Sequence, residues 1–159
     1  MPVIGDPLDT PGGPSCFIGM HEVAAGLMNA SLRSSMLESS AIIAFAPATD
    51  LARARGFYEH TLGLLFVEQS DFACVFDANG TMLRITAVSE VANPGYTVLG
   101  WRVADIGAAV QALTLKGVKF TQYDGMDQDR NGIWTTAGGD KVAWFTDPVG
   151  NNISLTQFI

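Results

Sequence analysis

The 159-residue sequence has few of the residues on which several classes of protein depend. Its two cysteines, Cys16 and Cys74, are far apart and form no CxxC pattern, so neither a disulfide framework nor a cysteine-based metal site is indicated. Nine basic residues stand against sixteen acidic ones, for a net charge of -7, and the basic residues do not cluster. Such a surface repels a phosphate backbone. No apolar run approaches the roughly 18–20 residues that cross a bilayer. We therefore expect neither a nucleic-acid partner nor a membrane span.

The first 38 residues differ in composition from the rest. Residues 1–15 are rich in proline and glycine and lack a basic stretch followed by an apolar one, so no secretion leader is indicated. A reducing, cytoplasmic location is the expectation. We expect residues 1–38 to form a mobile or partly helical extension. An amphipathic helix around Met20–Met36 is one alternative, and a physiological start at Met36 is another.

The remaining residues, 39–159, predict one compact domain with an internal repeat of about 55 residues. Asp50 and Asp105 each precede an amphipathic stretch and are good helix N-caps, while Gly63 and Gly117 are suited to ending those helices. Asn79-Gly80 predicts a tight hairpin turn. Each copy has the pattern β-α-β-β-β. The predicted strands are Ala41–Pro47, Leu64–Gln69, Asp71–Asp77, Thr81–Val88, Tyr96–Val103, Lys119–Tyr123, Ile133–Thr136, Lys141–Thr146 and Asn152–Phe158.

Two motifs in this repeat resemble those of the vicinal-oxygen-chelate superfamily, which includes glyoxalases, bleomycin resistance proteins and extradiol dioxygenases. FYEHTLGL at 57–64 is similar to the family's FYxxxLGL, and WFTDPVGN at 144–151 is similar to its (F/W)FxDPxGN turn. The resemblance covers roughly 41–158. It implies an α+β fold of two tandem βαβββ modules, about 41–90 and 96–158. These would form a cup-shaped mixed sheet with the helices outside and the binding or active site inside the cup.

In the family's metal-dependent members, four strand positions carry His, Gln or Glu. The resemblance, counted from Asp50 and Asp147, places these positions at Ile43, Arg84, Val98 and Ser154. None of the four residues is a plausible ligand, because divalent metals in such sites need imidazole or carboxylate donors. The only histidines are His21, in the extension, and His60, near a helix end where it suits the helix dipole. We therefore expect no metal and no other cofactor.

A metal-free cup is predicted to bind a small molecule directly. Strand alternation and the resemblance together select the ligand-binding residues Ile43, Phe45, Arg84, Thr86, Val98, Arg102, Tyr123, Trp134 and Ser154. Arg84 and Arg102 could hold an anionic group. The alternative for either arginine is an ion pair within the fold, for which the candidate partners are Glu68, Asp71 and Glu90. The aromatic residues that border the cup, including Trp144, could stack on a planar ligand, although core packing explains each one singly.

The acidic segment 124–132 loosely resembles a calcium loop. It lacks the glutamate that such a loop carries at its twelfth position, and no helices flank it. A mobile loop over the mouth of the cup is the favoured interpretation.

The predicted function is that of a metal-independent small-molecule binding protein that forms a homodimer, as the family's metal-free drug-sequestering members do. Bleomycin-like compounds are cationic, which suits the net acidity but not Arg84. An alternative is a lyase, isomerase or dioxygenase that uses non-standard groups such as Thr86, Ser154, Tyr123 or a loop carboxylate, or that completes a metal site across the dimer. A third hypothesis is a regulatory or interaction module whose amino-terminal segment binds a protein.

Overall fold

A computed structural model of the chain describes residues 37–92 and 95–159. Residues Ile42–Ile159 form one compact unit. The predicted extension over 1–38 lies outside the described residues, together with its alternative helix, except for 37 and 38, which belong to the short 3₁₀ turn Leu37–Ser39. Within the described ranges, no helix has the length and apolar character needed to span a membrane.

Two modules of the same order follow one another, and each folds into its own four-stranded mixed sheet. The strands of the first module are β1 (Ile43–Ala48), β2 (Leu65–Gln69), β3 (Ala73–Ala78) and β4 (Thr81–Ala87). Those of the second are β5 (Leu99–Arg102), β6 (Ile133–Thr135), β7 (Lys141–Thr146) and β8 (Asn152–Gln157). The sheet orders are β1-β4-β3-β2 and β5-β8-β7-β6, with the first and last strands of each module parallel. The predicted α+β fold of two βαβββ modules is therefore confirmed.

The turn and cap residues behave as their chemistry requires. The side chains of Asp50 and Asp105 each accept a hydrogen bond from the backbone amide three residues further on, at 3.0 Å, and so satisfy an otherwise unpaired donor of the first helical turn. Gly63 and Gly117 end the helical stretches with φ of 78° and 89°, a region open to glycine. Asn79 has φ of 56° in the β3–β4 hairpin, as a tight turn of this type demands.

The first helix differs from the prediction of one regular α-helix. It begins as α1 (Leu51–Arg55) and continues as a π-helical segment, Gly56–Thr61. The amide of Leu62 accordingly donates to the carbonyl of Phe57 at 2.9 Å, five residues back. The wider turn lets the sequence neighbours Phe57 and Tyr58 both pack toward the core, with their rings edge to face at 5.4 Å. The helix of the second module, α2 (Ile106–Leu115), is regular.

The predicted strand Lys119–Tyr123 was wrong beyond a single residue. Only Phe120 forms a bridge, to Phe145 of β7. The amide of Thr121 still donates to the carbonyl of Trp144 in β7 at 2.7 Å, and side-chain hydrogen bonds replace the ladder after that point. Gln128 accepts from the amide of Tyr123 at 2.7 Å and donates to the carbonyl of Thr121 at 3.0 Å. These two backbone groups thus take their partner from a loop side chain and not from a neighbouring strand.

The core lies between the helices and one face of each sheet, and its members alternate along the strands as period-two side-chain geometry requires. From the sheets it takes Ala46, Ala48, Cys74, Phe76, Leu83, Ile85, Ala143, Phe145, Ile153 and Leu155, and from the helices Ala54, Tyr58, Ile106 and Val110. The opposite face of each sheet, which carries no helix and corresponds to the inside of the predicted cup, is called its outer face below.

A buried hydrogen-bond network joins the two modules. The hydroxyl of Tyr58 donates to Oδ2 of Asp147 at 2.9 Å. The side-chain amide of Asn151 donates to the same oxygen at 2.7 Å and to the carbonyl of Pro47 in β1 at 2.8 Å. The other carboxylate oxygen of Asp147 accepts from the backbone of Val149 and Asn151. Because Tyr58, Asp147 and Asn151 are buried, the polar groups depend on one another for hydrogen bonding.

We predict that this network makes the fold sensitive to alkali through Tyr58. Burial, the charge of Asp147 and the hydrogen bond to it all raise the pKa of Tyr58 well above its ordinary 10.0. A raised folded-state pKa preserves stability below about pH 10 and costs up to about 1.4 kcal/mol per pH unit above it. Urea unfolding of the Tyr58→Phe variant should show a loss of about 1–3 kcal/mol at pH 7 and a smaller further loss between pH 10 and 11.

Tyr96→Phe is the matched control, since Tyr96 is exposed. It should leave both the stability at pH 7 and its decline in alkali unchanged. An alkaline decline of the same slope in Tyr58→Phe and in the wild type would show that Tyr58 is not the responsible group.

Candidate functional site

The outer face of the first sheet is largely apolar and partly open to solvent. The register places Phe45 beside Arg84, and Arg84 beside Val75. In the next row, Ile43 lies beside Met82 in the neighbouring strand. The large apolar side chains exposed on this face are Ile43, Phe45, Leu65 and Met82, with 47%, 59%, 67% and 43% of their surface accessible. Asp77 lies between Leu65 and Met82 in the register, and Glu68 is on the same face, so charged side chains interrupt the apolar surface. Exposed apolar side chains grouped on one face nevertheless mark an interface or a ligand site more often than inert surface.

Arg84 has no acidic partner in the described part of the chain. The residue is half-buried. The one ion pair among residues 37–92 and 95–159 joins Arg55 to Glu59 at 2.8 Å, so the predicted alternative of an ion pair between Arg84 and Glu68, Asp71 or Glu90 is not formed there. A half-buried guanidinium on an apolar face therefore keeps its donors free for another group.

Arg102 is in a different environment from Arg84. It is exposed at the end of β5, and its guanidinium carbon lies 5.5 Å from the centre of the Phe158 ring. This distance suits a cation–π contact. The two arginines lie on different sheets, so one chain does not bring them together by strand pairing.

Three aromatic side chains meet on the outer face of the second sheet. The ring of Trp144 lies 6.2 Å from that of Trp134 and 5.6 Å from that of Tyr123, the latter edge to face. The indole of Trp144 also donates to Oγ1 of Thr97 at 3.2 Å. We call Tyr123, Trp134 and Trp144 the aromatic cluster. Trp144 is absent from the predicted ligand-binding residues because β7 has apolar residues at both alternate sets of positions. The alternation of side chains along this strand therefore does not show which set faces the ligand.

A polar floor adjoins the aromatic cluster. Ser154 lies between Gly100 and Trp144 in the register. A β-carbon at Gly100 would come within 2.9 Å of Oγ of Ser154, so glycine permits the close approach of these strands. Asn152 donates to the hydroxyl of Tyr123 at 3.3 Å, while its own Oδ1 is buried and has no partner in the described residues. This oxygen is a buried polar atom without a partner and is not exposed to a ligand.

The strand positions that bind metal in the family's metal-dependent members do not fit a metal here. Ile43, Arg84, Val98 and Ser154 supply no imidazole or carboxylate, and their register neighbours Phe45, Met82 and Gly100 supply none either. No group of three or more His, Cys, Asp or Glu occurs within 37–92 and 95–159 that could hold an ion.

In the acidic segment 124–132, a carboxylate accepts hydrogen bonds from backbone amides in or next to the same segment. The Oδ1 atom of Asp129 accepts from the amides of Asn131 and Ile133, at 2.8 and 2.9 Å. This geometry gives the carboxylate a structural role in shaping the loop.

The predicted ligand-binding residues therefore form two separate sets within one chain. Ile43, Phe45, Arg84 and Thr86 are on the first sheet. Val98, Arg102, Tyr123, Trp134 and Ser154 belong to the second module. None of five cavities in the described ranges is lined by members of both sets.

We predict that the purified protein binds no divalent metal stoichiometrically, because the donor groups on the outer faces are of the wrong chemistry. Calorimetric titration with Zn²⁺ and Ni²⁺ at neutral pH should give only weak uptake. His60→Gln is the control for surface binding, since His60 is the only histidine in residues 37–159 and is exposed. One tightly bound ion per chain that survives this substitution would contradict the prediction.

Comparison with known proteins agrees with this architecture. The family model described as Glyoxalase/Bleomycin resistance protein/Dioxygenase superfamily matches residues 42–155. A superfamily member from Sphaerobacter thermophilus superposes with a TM-score of 0.60 at 22% identity, covering 77% of this chain and 100% of that one. A lactoylglutathione lyase from Agrobacterium tumefaciens superposes with a TM-score of 0.59 at 16% identity, covering 75% and 93%. No functionally curated protein matches the sequence.

Proposed function

The chain belongs to the glyoxalase/bleomycin resistance protein/dioxygenase superfamily, and on that premise we propose that it is a metal-independent small-molecule binding protein. The ligand is planar or apolar and carries a negative group. The observation that carries this proposal is Arg84, which is half-buried on an apolar face and has no acidic partner in the described residues. A carboxylate or similar anion would satisfy the guanidinium in that position.

The proposed site is completed by a second copy of the chain. In one chain the outer face of the first sheet is open, and Phe45 and Leu65 are more than half exposed. Ligand sites are usually clefts that bury most of their ligand. We propose a homodimer in which this face opposes the outer face of the second sheet of the partner. The ligand then lies between Phe45 and Arg84 on one side and an aromatic cluster on the other.

The chemistry of the two faces determines the proposed ligand class. The aromatic cluster offers planar rings for stacking, which contributes about 0.5–1.5 kcal/mol per well-formed pair. Ser154 adds a hydroxyl. The net charge of -7 favours cations at long range, but Arg84 governs the charge at close range. A cationic, bleomycin-like ligand is therefore less favoured than an aromatic anion.

An enzymatic role is the competing proposal. One structural neighbour is a lactoylglutathione lyase, although at 16% identity the likeness supports the fold alone. A lyase, isomerase or dioxygenase would need Thr86, Ser154 or Tyr123 to act in place of metal-bound groups. Ser154 has Gly100 and Trp144 as its register neighbours and therefore lacks an adjacent general base. Turnover of dicarbonyl–thiol adducts or of catechols would favour the enzyme.

We predict that Arg84→Ala weakens binding of an aromatic anion. With 2-naphthoate as the probe, calorimetry should show about 10- to 150-fold lower affinity, because a charge-assisted hydrogen bond contributes about 1.5–3 kcal/mol. The neutral 2-naphthamide should lose much less. Arg53→Ala is the matched control, since Arg53 is exposed on α1, outside the sheet face. Equal affinity of Arg84→Ala and wild type for naphthoate would refute the assignment of Arg84.

The dimer leads to a separate prediction. The wild type should have the mass of a dimer by light scattering at micromolar concentration. Leu65→Asp should be largely monomeric and bind naphthoate weakly, because a charge would be buried in the interface. Leu115→Asp is the control, since Leu115 is 83% exposed at the end of α2. A Leu65→Asp protein that stays dimeric with unchanged affinity would contradict the proposed interface.

A further inference from the structure

A cavity of about 320 Å³ lies on the core side of the second sheet, away from the outer faces. One wall is the end of the first helical stretch with the residues that follow it, and the other is formed by α2 and the core faces of β5, β7 and β8. Its apolar lining includes Leu62, Leu64, Trp101, Leu113, Phe145 and Leu155. This volume is at the lower end of the roughly 300–1,000 Å³ that small-molecule sites occupy.

Two alanines on α2 explain why the space exists. Ala109 and Ala112 both line the cavity. A larger side chain at either position would fill it, as side chains normally do in a close-packed interior. Ala112 is exposed, so the gap opens to solvent beside this residue.

A single lysine places positive charge at this apolar cavity. Lys116 follows α2 and is among the lining residues. Its ammonium donates to the carbonyls of His60 and Thr61, at 3.2 and 2.9 Å, which fixes the charge beside the end of the first helix. An ammonium has three donors, so one is left for another acceptor. None of the lining residues is acidic, and Arg102 is also among them.

We propose that this cavity is a second binding site, which takes a short-chain aliphatic carboxylate. The hydrocarbon chain lies against Trp101 and Leu113, and the carboxylate accepts from the free donor of Lys116. The positive charge of the lining matches an anionic head, and the apolar walls match an unbranched chain. A neutral or cationic amphiphile lacks the first of these interactions.

The site is independent of the function proposed above. Trp101 and Leu155 belong to the core face of the second sheet. The aromatic cluster lies on the outer face of the same sheet, because Trp144 pairs in the register with Ser154, which is on that face. Loss of one site therefore need not alter the other.

The experiment uses a full-length chain whose only tryptophan is Trp101. The chain has three tryptophans, so the double variant Trp134→Phe/Trp144→Phe isolates it. The probe is 8-bromooctanoate, whose bromine quenches tryptophan fluorescence on contact. Saturable quenching of Trp101 is the expected result. Quenching that rises linearly with concentration, as for random collisions, would overturn the proposal.

Three substitutions in that background test the assignment. Ala112→Phe should fill the opening and weaken binding at least tenfold. Lys116→Gln should weaken binding about two- to fivefold, as for an exposed ion pair. Lys119→Gln is the matched control, because Lys119 is an exposed lysine outside the cavity lining. Undiminished quenching in Ala112→Phe would overturn the site, and equal quenching by 8-bromooctan-1-ol would overturn the carboxylate preference.

A calorimetric experiment on the chain with its natural tryptophans keeps the test decisive if the single-tryptophan variant does not fold. Octanoate is titrated into the wild type and into Ala112→Phe, with urea midpoints to verify that both are folded. Heat that is lost in Ala112→Phe supports the site, and equal heat in both proteins overturns it. Titration of 2-naphthoate into Ala112→Phe should give wild-type affinity, which separates this proposal from the one resting on Arg84.

Discussion

The rest of the structure depends on the buried contact between Tyr58 and Asp147. Tyr58 comes from the first of the two motifs that resemble the superfamily, and Asp147 comes from the second, 89 positions further along the chain. Asn151 then ties the same carboxylate to the carbonyl of Pro47 in β1. The two sequence motifs, although far apart in the chain, therefore contribute to one hydrogen-bond network. This network links the two modules, between which no strands pair.

Most of the fold could be predicted from the sequence because its signals are local. Asp50 and Asp105 cap helices through their own side chains, and the Asn79-Gly80 turn needs only its own backbone. The errors arose where particular side-chain contacts decide the outcome. The π-helical turn at Gly56–Thr61 accompanies the burial of Tyr58 against Asp147, 89 positions away, which no local window contains. The strand expected at Lys119–Tyr123 is displaced by hydrogen bonds from Gln128, which is close in sequence, but hydrophobic periodicity does not reveal bonds between a side chain and the backbone.

The candidate site was less predictable than the fold, for a physical reason. Strand parity identifies which side chains share a face, but it does not say what opposes that face. Parity places Ile43, Phe45 and Arg84 on one face. The register adds that Arg84 is beside Phe45, whereas Ile43 is in the next row, beside Met82. The aromatic cluster is on the other sheet, and Trp144, although expected to border the cup, was not selected as ligand-binding because β7 is apolar on both sides. Whether the two sheets share a ligand depends on assembly, which a single sequence does not encode locally.

The separation of core and outer faces explains how the fold tolerates such a site. The residues that hold the modules together, among them Tyr58, Phe76 and Phe145, all lie on the core side. Ile43 and Arg84 lie on the outer face and contribute nothing to that core. Exchanging metal ligands for apolar or cationic groups there leaves the packing and the buried network intact. The chemistry of the outer faces can therefore change without loss of the fold, so superfamily membership constrains the architecture far more strongly than it constrains the ligand.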